Sequence, residues 1–131
     1  MSGIFVRIAH HGVTHFSVAC AAMGGWAAFS NRFHPMPAPL TAALIQGVVS
    51  GCITLALKGT IERTSSRFSG WSALVAPPVI ACILSAIIAV TMHRIGGTPE
   101  LGQTIVLPLT VSTTYAALYS LALWNAGKDY P

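Results

Sequence analysis

Charge is what this chain has least of, and acid above all. Asp and Glu number three among 131 residues, Lys and Arg seven, and charged residues total 8%. A soluble domain carries roughly a quarter. Ten charges cannot cover a water-exposed globule of this size. That excludes an ordinary soluble enzyme, a disordered tail and, despite a formal charge of +4, a nucleic-acid module. Glu62, Glu100 and Asp129 are the only acids, and all fall outside the long apolar runs, so no carboxylate pair exists for acid–base work. No Ser/His/Asp or Cys/His arrangement and no glycine-rich phosphate loop followed by Lys is readable. Catalysis is not expected, and neither is a cofactor.

Cysteine is also sparse. Cys20, Cys52 and Cys82 sit in apolar stretches without CxxC spacing, as small buried hydrophobes would. Arg7 precedes an apolar run as in a signal peptide, but three histidines interrupt the run and no small-residue cleavage site closes it. A retained helix is expected there.

What the chain has in quantity is apolar length, 53% of its residues. A hydrocarbon core of roughly 30 Å needs about 20 apolar residues per helix. Four runs qualify, near 8–30, 38–57, 71–92 and 104–124. The expected fold is an all-α integral membrane protein: one domain over 1–131, with four transmembrane helices in two hairpins. Arg7, Lys58, Arg63, Arg67 and Lys128 would share one side, against Arg32 and Arg94 on the other. The excess of cations places both termini in the cytoplasm, and the short loops suit a bacterial inner membrane. Trp26, Trp71 and Trp124 lie near span ends, as interfacial anchors do. Shifting the chain by 62 residues aligns Val18-Ala19-Cys20 with Ile80-Ala81-Cys82 and Arg32 with Arg94, the pattern of a weak parallel repeat.

The second span carries a GxxxG, Gly47 to Gly51, which permits close helix approach. Gln46, Ser50 and Thr54 recur every fourth residue beside it and form a polar stripe that Lys58 extends. An amide in hydrocarbon needs a partner, so this face should point into the bundle or towards another chain. In the fourth span, Thr110, Ser112, Thr113, Thr114 and Tyr115 make a hydroxyl-rich middle, a candidate polar path, after Pro108. Pro77-Pro78 should start or kink the third helix.

Histidine offers two clusters. His11 and His15 share a helical face in an HxxxH spacing, a weak metal or haem candidate, since no second such box exists. His34, His93 and Glu100 lie beside Arg32 and Arg94 at the non-cytoplasmic ends. They could hold the Gly96–Glu100 turn together, bind an anionic headgroup, or supply three metal ligands. In length, span number and basic charge the chain is similar to small flippase-like proteins. Their Asn-Arg-aromatic motif follows the second and fourth spans, whereas Asn31-Arg32-Phe33 follows the first. Double-barrelled fluoride channels are similar in size, and Thr113-Thr114-Tyr115 resembles their hydroxyl–aromatic segment, but their phenylalanine box and channel Asn are missing.

These observations lead to two expectations. One is a non-catalytic accessory or assembly subunit, packed through Gly47, Gly51, Ala21, Ala22 and Gly25 against a membrane-protein partner or its own copy. The other is a small carrier, flippase-like protein or channel for a lipid-linked or anionic solute. The lipid bilayer is a partner in either case, and nucleic acid in neither.

Overall fold

A computed structural model describes residues 2–128, with side chains from 11 to 127. Arg7, His10, Lys128 and Asp129 thus contribute to the sequence argument but fall outside the described side chains. The architecture is four helices: α1 Ser2–Ser30, α2 Ala38–Ser65, α3 Trp71–Ile95 and α4 Leu101–Lys128. Three are long and apolar enough to cross a membrane: α2, α3 and Leu101–Gly127 of α4. At 29 residues α1 has the length, but His11, Thr14, His15 and Ser17 dilute its apolar run.

The helices outlast the apolar runs that predict them. A loop was expected over 58–70, yet α2 continues to Ser65 and leaves only 66–70 outside a helix. Polarity ends a membrane span, but it does not end a helix. Lys58 and Glu62 approach to 4.0 Å across one turn. Thr60 and Thr64 return their hydroxyl protons to the carbonyls of Ala56 and Thr60. These local bonds support the polar face of the extension, while Ile61 on its other face is fully buried against α3 and α4. The turn between α3 and α4 is equally short. Thr98 N–H donates to His93 O at 2.9 Å and Gly97 N–H to Arg94 O at 3.2 Å, with Gly97 at φ 66°. That left-handed residue is what closes this helix end.

The central helix is α2, which touches the other three, whereas among the described residues α1 and α3 do not meet. The α1–α2 seam runs antiparallel in steps of four residues on each side. A Cβ placed on Gly24 would lie 2.9 Å from the Ala43 carbonyl oxygen, and one on Gly47 2.9 Å from Cys20 Sγ and 3.0 Å from Cys20 O. Further along, Gly51 faces the Phe16 ring at 2.5 Å by the same measure, and Gly12 faces Leu55 at 3.6 Å. Lipid offers helices no hydrophobic drive to associate, so such backbone proximity supplies the attraction. Ala21, Ala22 and Gly25, the small residues expected to pack against a partner or a second copy, lie outside this seam on the exposed side of α1. They sit between the contact positions, and a four-residue stripe covers only one face.

Towards the other end of α2, Leu57 and Ile61 join Ala81 of α3 and Ala116 of α4 in an apolar cluster, flanked by Tyr119 and Leu123. Neither α3 nor α4 is broken by its prolines, since Pro77, Pro78 and Pro108 all lie inside continuous helices. Pro78 cannot donate to the carbonyl of Leu74. The Ser120 hydroxyl of α4 donates to that oxygen at 2.8 Å and removes the deficit. Outward faces carry Val75, Val79, Ile83 and Ile87 on α3 and Leu118 and Leu121 on α4, all exposed.

Candidate binding cleft

At the end of the bundle formed by 31–37 and 96–100, two polar side chains tie the hairpins together. Asn31, 0% exposed, uses three of the four bonding positions of its amide. Its Nδ2 donates to Ala27 O and to Thr104 Oγ1, each at 2.8 Å, and its Oδ1 accepts from Glu100 N at 3.0 Å. Trp26 Nε1 adds a bond to Gln103 O at 2.9 Å. His93, also 0% exposed, bonds Gln46 Oε1 through Nε2 at 2.8 Å and Thr98 Oγ1 through Nδ1 at 2.7 Å. An amide oxygen only accepts, so in this arrangement Nε2 carries the proton and Nδ1 takes the Thr98 hydroxyl. Gln46 Nε2 then donates to Ser50 Oγ at 2.7 Å.

This placement corrects the three-ligand grouping of His34, His93 and Glu100. His34 and Glu100 do pair, at 2.8 Å, but His93 faces the opposite way. It continues the row Pro77, Ala81, Ser85 and Ala89, all buried in α3 at four-residue spacing. A helix that seats small residues against α2 must seat the next residue of that row there too. Arg32 stays outside, its guanidinium 3.8 Å from the Phe29 ring centre and 4.3 Å from that of Phe33, with Nη1 donating to Phe29 O at 2.7 Å. Arg94 is exposed. Among the described residues no three His, Cys, Asp or Glu gather as a metal-binding group. His11 and His15 are both exposed on α1.

Away from this tied end, α1 and α4 separate and enclose a cleft of about 660 Å³. Its walls are Gly12, His15, Ala19 and Met23 of α1 facing Pro108, Leu109, Ser112 and Tyr115 of α4, with Ser85 and Ala89 of α3. The floor is α2 from Gln46 to Lys58, roughly 18 Å of helix at 1.5 Å per residue. The polar stripe of α2 therefore faces this space: Gln46 and Ser50 are buried, Thr54 half-buried and Lys58 exposed at the mouth. Gly47 and Gly51 are buried beside it under α1.

The hydroxyls of α4 divide. Ser112 and Tyr115 line the cleft. Thr110 and Thr114 are exposed elsewhere, each donating back to its own helix, to Val106 O and Thr110 O at 2.8 Å. Thr113 is half-buried and also outside the lining. Sequence reasoning passed over Asn31, Ser85 and Ser120. The row of small residues leading to His93 was a readable signal for Ser85. An Asn at the end of an apolar run, and a Ser following two prolines only across a turn, offered none. Comparison with family models, with curated proteins and with solved structures finds no match to the chain.

Proposed function

We propose that this chain is a small multipass membrane protein that takes a lipid-like amphiphile from the bilayer into the cleft between α1 and α4, as a carrier or flippase-like protein would. The observation that supports this reading is the cleft itself. It has walls from all four helices, an apolar lining, a polar floor and one tied end. Its volume of about 660 Å³ falls within the 300–1,000 Å³ typical of small-molecule sites. In this reading α1 also crosses the membrane, held along α2 by its glycine seam, and both termini lie on the cytoplasmic side with the cation-rich loop. A bacterial inner membrane suits such short loops. The test is flux in reconstituted vesicles. Labelled single-chain and two-chain lipids should redistribute between leaflets faster with the protein than without it. A cleft-filling Leu109→Trp variant should remove the difference, and equal rates in protein-free and wild-type vesicles would end the proposal.

A second reading, the assembly subunit, loses the support it drew from Gly47, Gly51 and the polar stripe, because α1 covers the glycines and the stripe opens onto the chain's own cleft. It keeps one observation, the exposed small residues Ser17, Ala21, Ala22 and Gly25 on α1. Native mass in mild detergent separates the two: a monomer unaffected by Gly25→Leu disposes of the assembly reading.

A further inference from the structure

Serines and threonines inside helices commonly return their proton to a carbonyl one turn back. Thr60, Thr64, Thr110 and Thr114 all do so here. Ser85 does not. It is 5% exposed, lines the cleft and has no hydrogen-bond partner among the described residues. Its Oγ is not sealed in protein but opens onto the cleft, so its proton is available to an occupant, and one hydrogen bond made there contributes about 0.5–1.5 kcal/mol. Across the cleft, Ser50 Oγ accepts the Gln46 amide proton and keeps its own proton to give. Thr54, one turn further, is half-buried on the same lining and equally without a partner. Three hydroxyls from α2 and α3 thus face one cavity with their donors unused.

No charged side chain lies beside Ser50 or Ser85 of this band, and the α2 cation of the lining, Lys58, comes one turn beyond Thr54 at the mouth. His93 stands behind Gln46 with both ring nitrogens engaged. Lys58 and His15 line the cleft away from the tied end, and both are exposed. An ionised group beside Ser85 would have no counter-charge, and such burial is expensive. A carbonyl suits the band instead, because its oxygen accepts from hydroxyls and brings no charge.

We propose that the occupant of the cleft is a neutral, single-chain lipid bearing an ester or amide carbonyl. That carbonyl accepts the Ser85 hydroxyl proton, supported by Ser50 and Thr54, while the chain lies along Ala19, Met23, Ala89 and Leu109. The inference rests on the amphiphile-binding reading above and specifies its ligand. It assigns Ser85 as the residue that separates a carbonyl lipid from a plain hydrocarbon of equal length.

The experiment is a titration followed by native mass spectrometry of the delipidated protein in maltoside micelles. Its probes are 1-monooleoylglycerol, oleate and 1-octadecene. The ester should bind more tightly than either of the others. Ser85→Ala should weaken the ester roughly three- to tenfold, the range expected of one hydrogen bond, and leave octadecene unchanged. Alanine is a strong helix former that adds no bulk, so this variant should keep the wild-type helical spectrum. Thr54→Val, which keeps shape but removes the hydroxyl, should give a smaller loss of ester binding. Equal ester affinity in wild type and Ser85→Ala overturns the inference, as does oleate binding more tightly than the ester. In both cases, binding still blocked by Leu109→Trp leaves the cleft reading intact. If none of the three probes binds wild type, the cleft reading falls and takes the inference with it.

Discussion

The two ends of this bundle are closed by different chemistry. At the end carrying 31–37 and 96–100, amides, an imidazole and hydroxyls link α1 to α4 and α2 to α3, with Asn31 and His93 both fully buried. At the other end, aliphatic packing joins α2, α3 and α4 through Leu57, Ile61, Ala81 and Ala116, beside a Tyr119–Glu62 hydrogen bond at 2.6 Å, and among the described residues α1 contributes nothing to that cluster. The difference teaches what holds α1. Among its described residues the glycine seam with α2 runs along α1, and its bonds to α4 come from Trp26 and Asn31 at one end. Between α1 and α4, directional bonds fix one end, and the cleft opens where they stop.

That contrast can be broken at either attachment. The largest effect is expected from Gly47→Leu. Its Cβ alone would meet the Cys20 backbone oxygen at 3.0 Å, and backbone cannot rotate away. A loss of roughly 3 kcal/mol or more is expected, seen as a lower melting temperature by circular dichroism in detergent and as greater separation of α1 from α2. Asn31→Ala attacks the tied end instead. Losing the bonds to Ala27, Thr104 and Glu100 should cost about 2–3 kcal/mol, and spin labels at Phe33 and Gln103 should report a broader distance distribution. An unchanged distribution would mean that Trp26 and the His34–Glu100 pair suffice to hold α1 against α4.

Smaller effects sharpen the comparison. Ser120→Ala leaves the Leu74 carbonyl without its donor and should cost about 1 kcal/mol, with α1 unaffected because α3 and α4 are the helices concerned. At the bottom of the series is Gly25→Ala. No atom lies within 4 Å of a Cβ there, so the change should be neutral or stabilise by about 0.5–1 kcal/mol through helix propensity. A large loss of stability in this variant would show that the outer face of α1 is covered, in favour of the assembly reading.

Much of the fold was legible in the composition. Four apolar runs became four helices, and the short polar segments between them became turns. The α2 boundary was misread because residues 58–65 are polar but still helical, and hydropathy measures solvent rather than backbone conformation. The candidate site was legible in part. Four-residue spacing sets Gln46 and Ser50 on one face of α2, which is buried, and the same spacing on α3 sets Ser85 and His93 on one buried row. Whether Gly47 receives a neighbour from its own chain or another is a tertiary fact that a GxxxG pattern does not contain. The hydroxyls of α4 show the same limit. Thr110 and Thr114 look like a polar path in one dimension, but their protons are already spent on their own helix.

The Ser120–Leu74 bond bears on the order in which the chain is made. Pro78 leaves the Leu74 carbonyl open as soon as α3 forms, and its donor is synthesised 46 residues later. During that interval the oxygen has only water or the insertion machinery to face, because lipid offers no donor. The third helix is therefore better kept at a wet boundary until the fourth arrives, and the second hairpin has reason to enter the bilayer as a pair. In this way a single hydroxyl favours bringing α3 and α4 into the bilayer together.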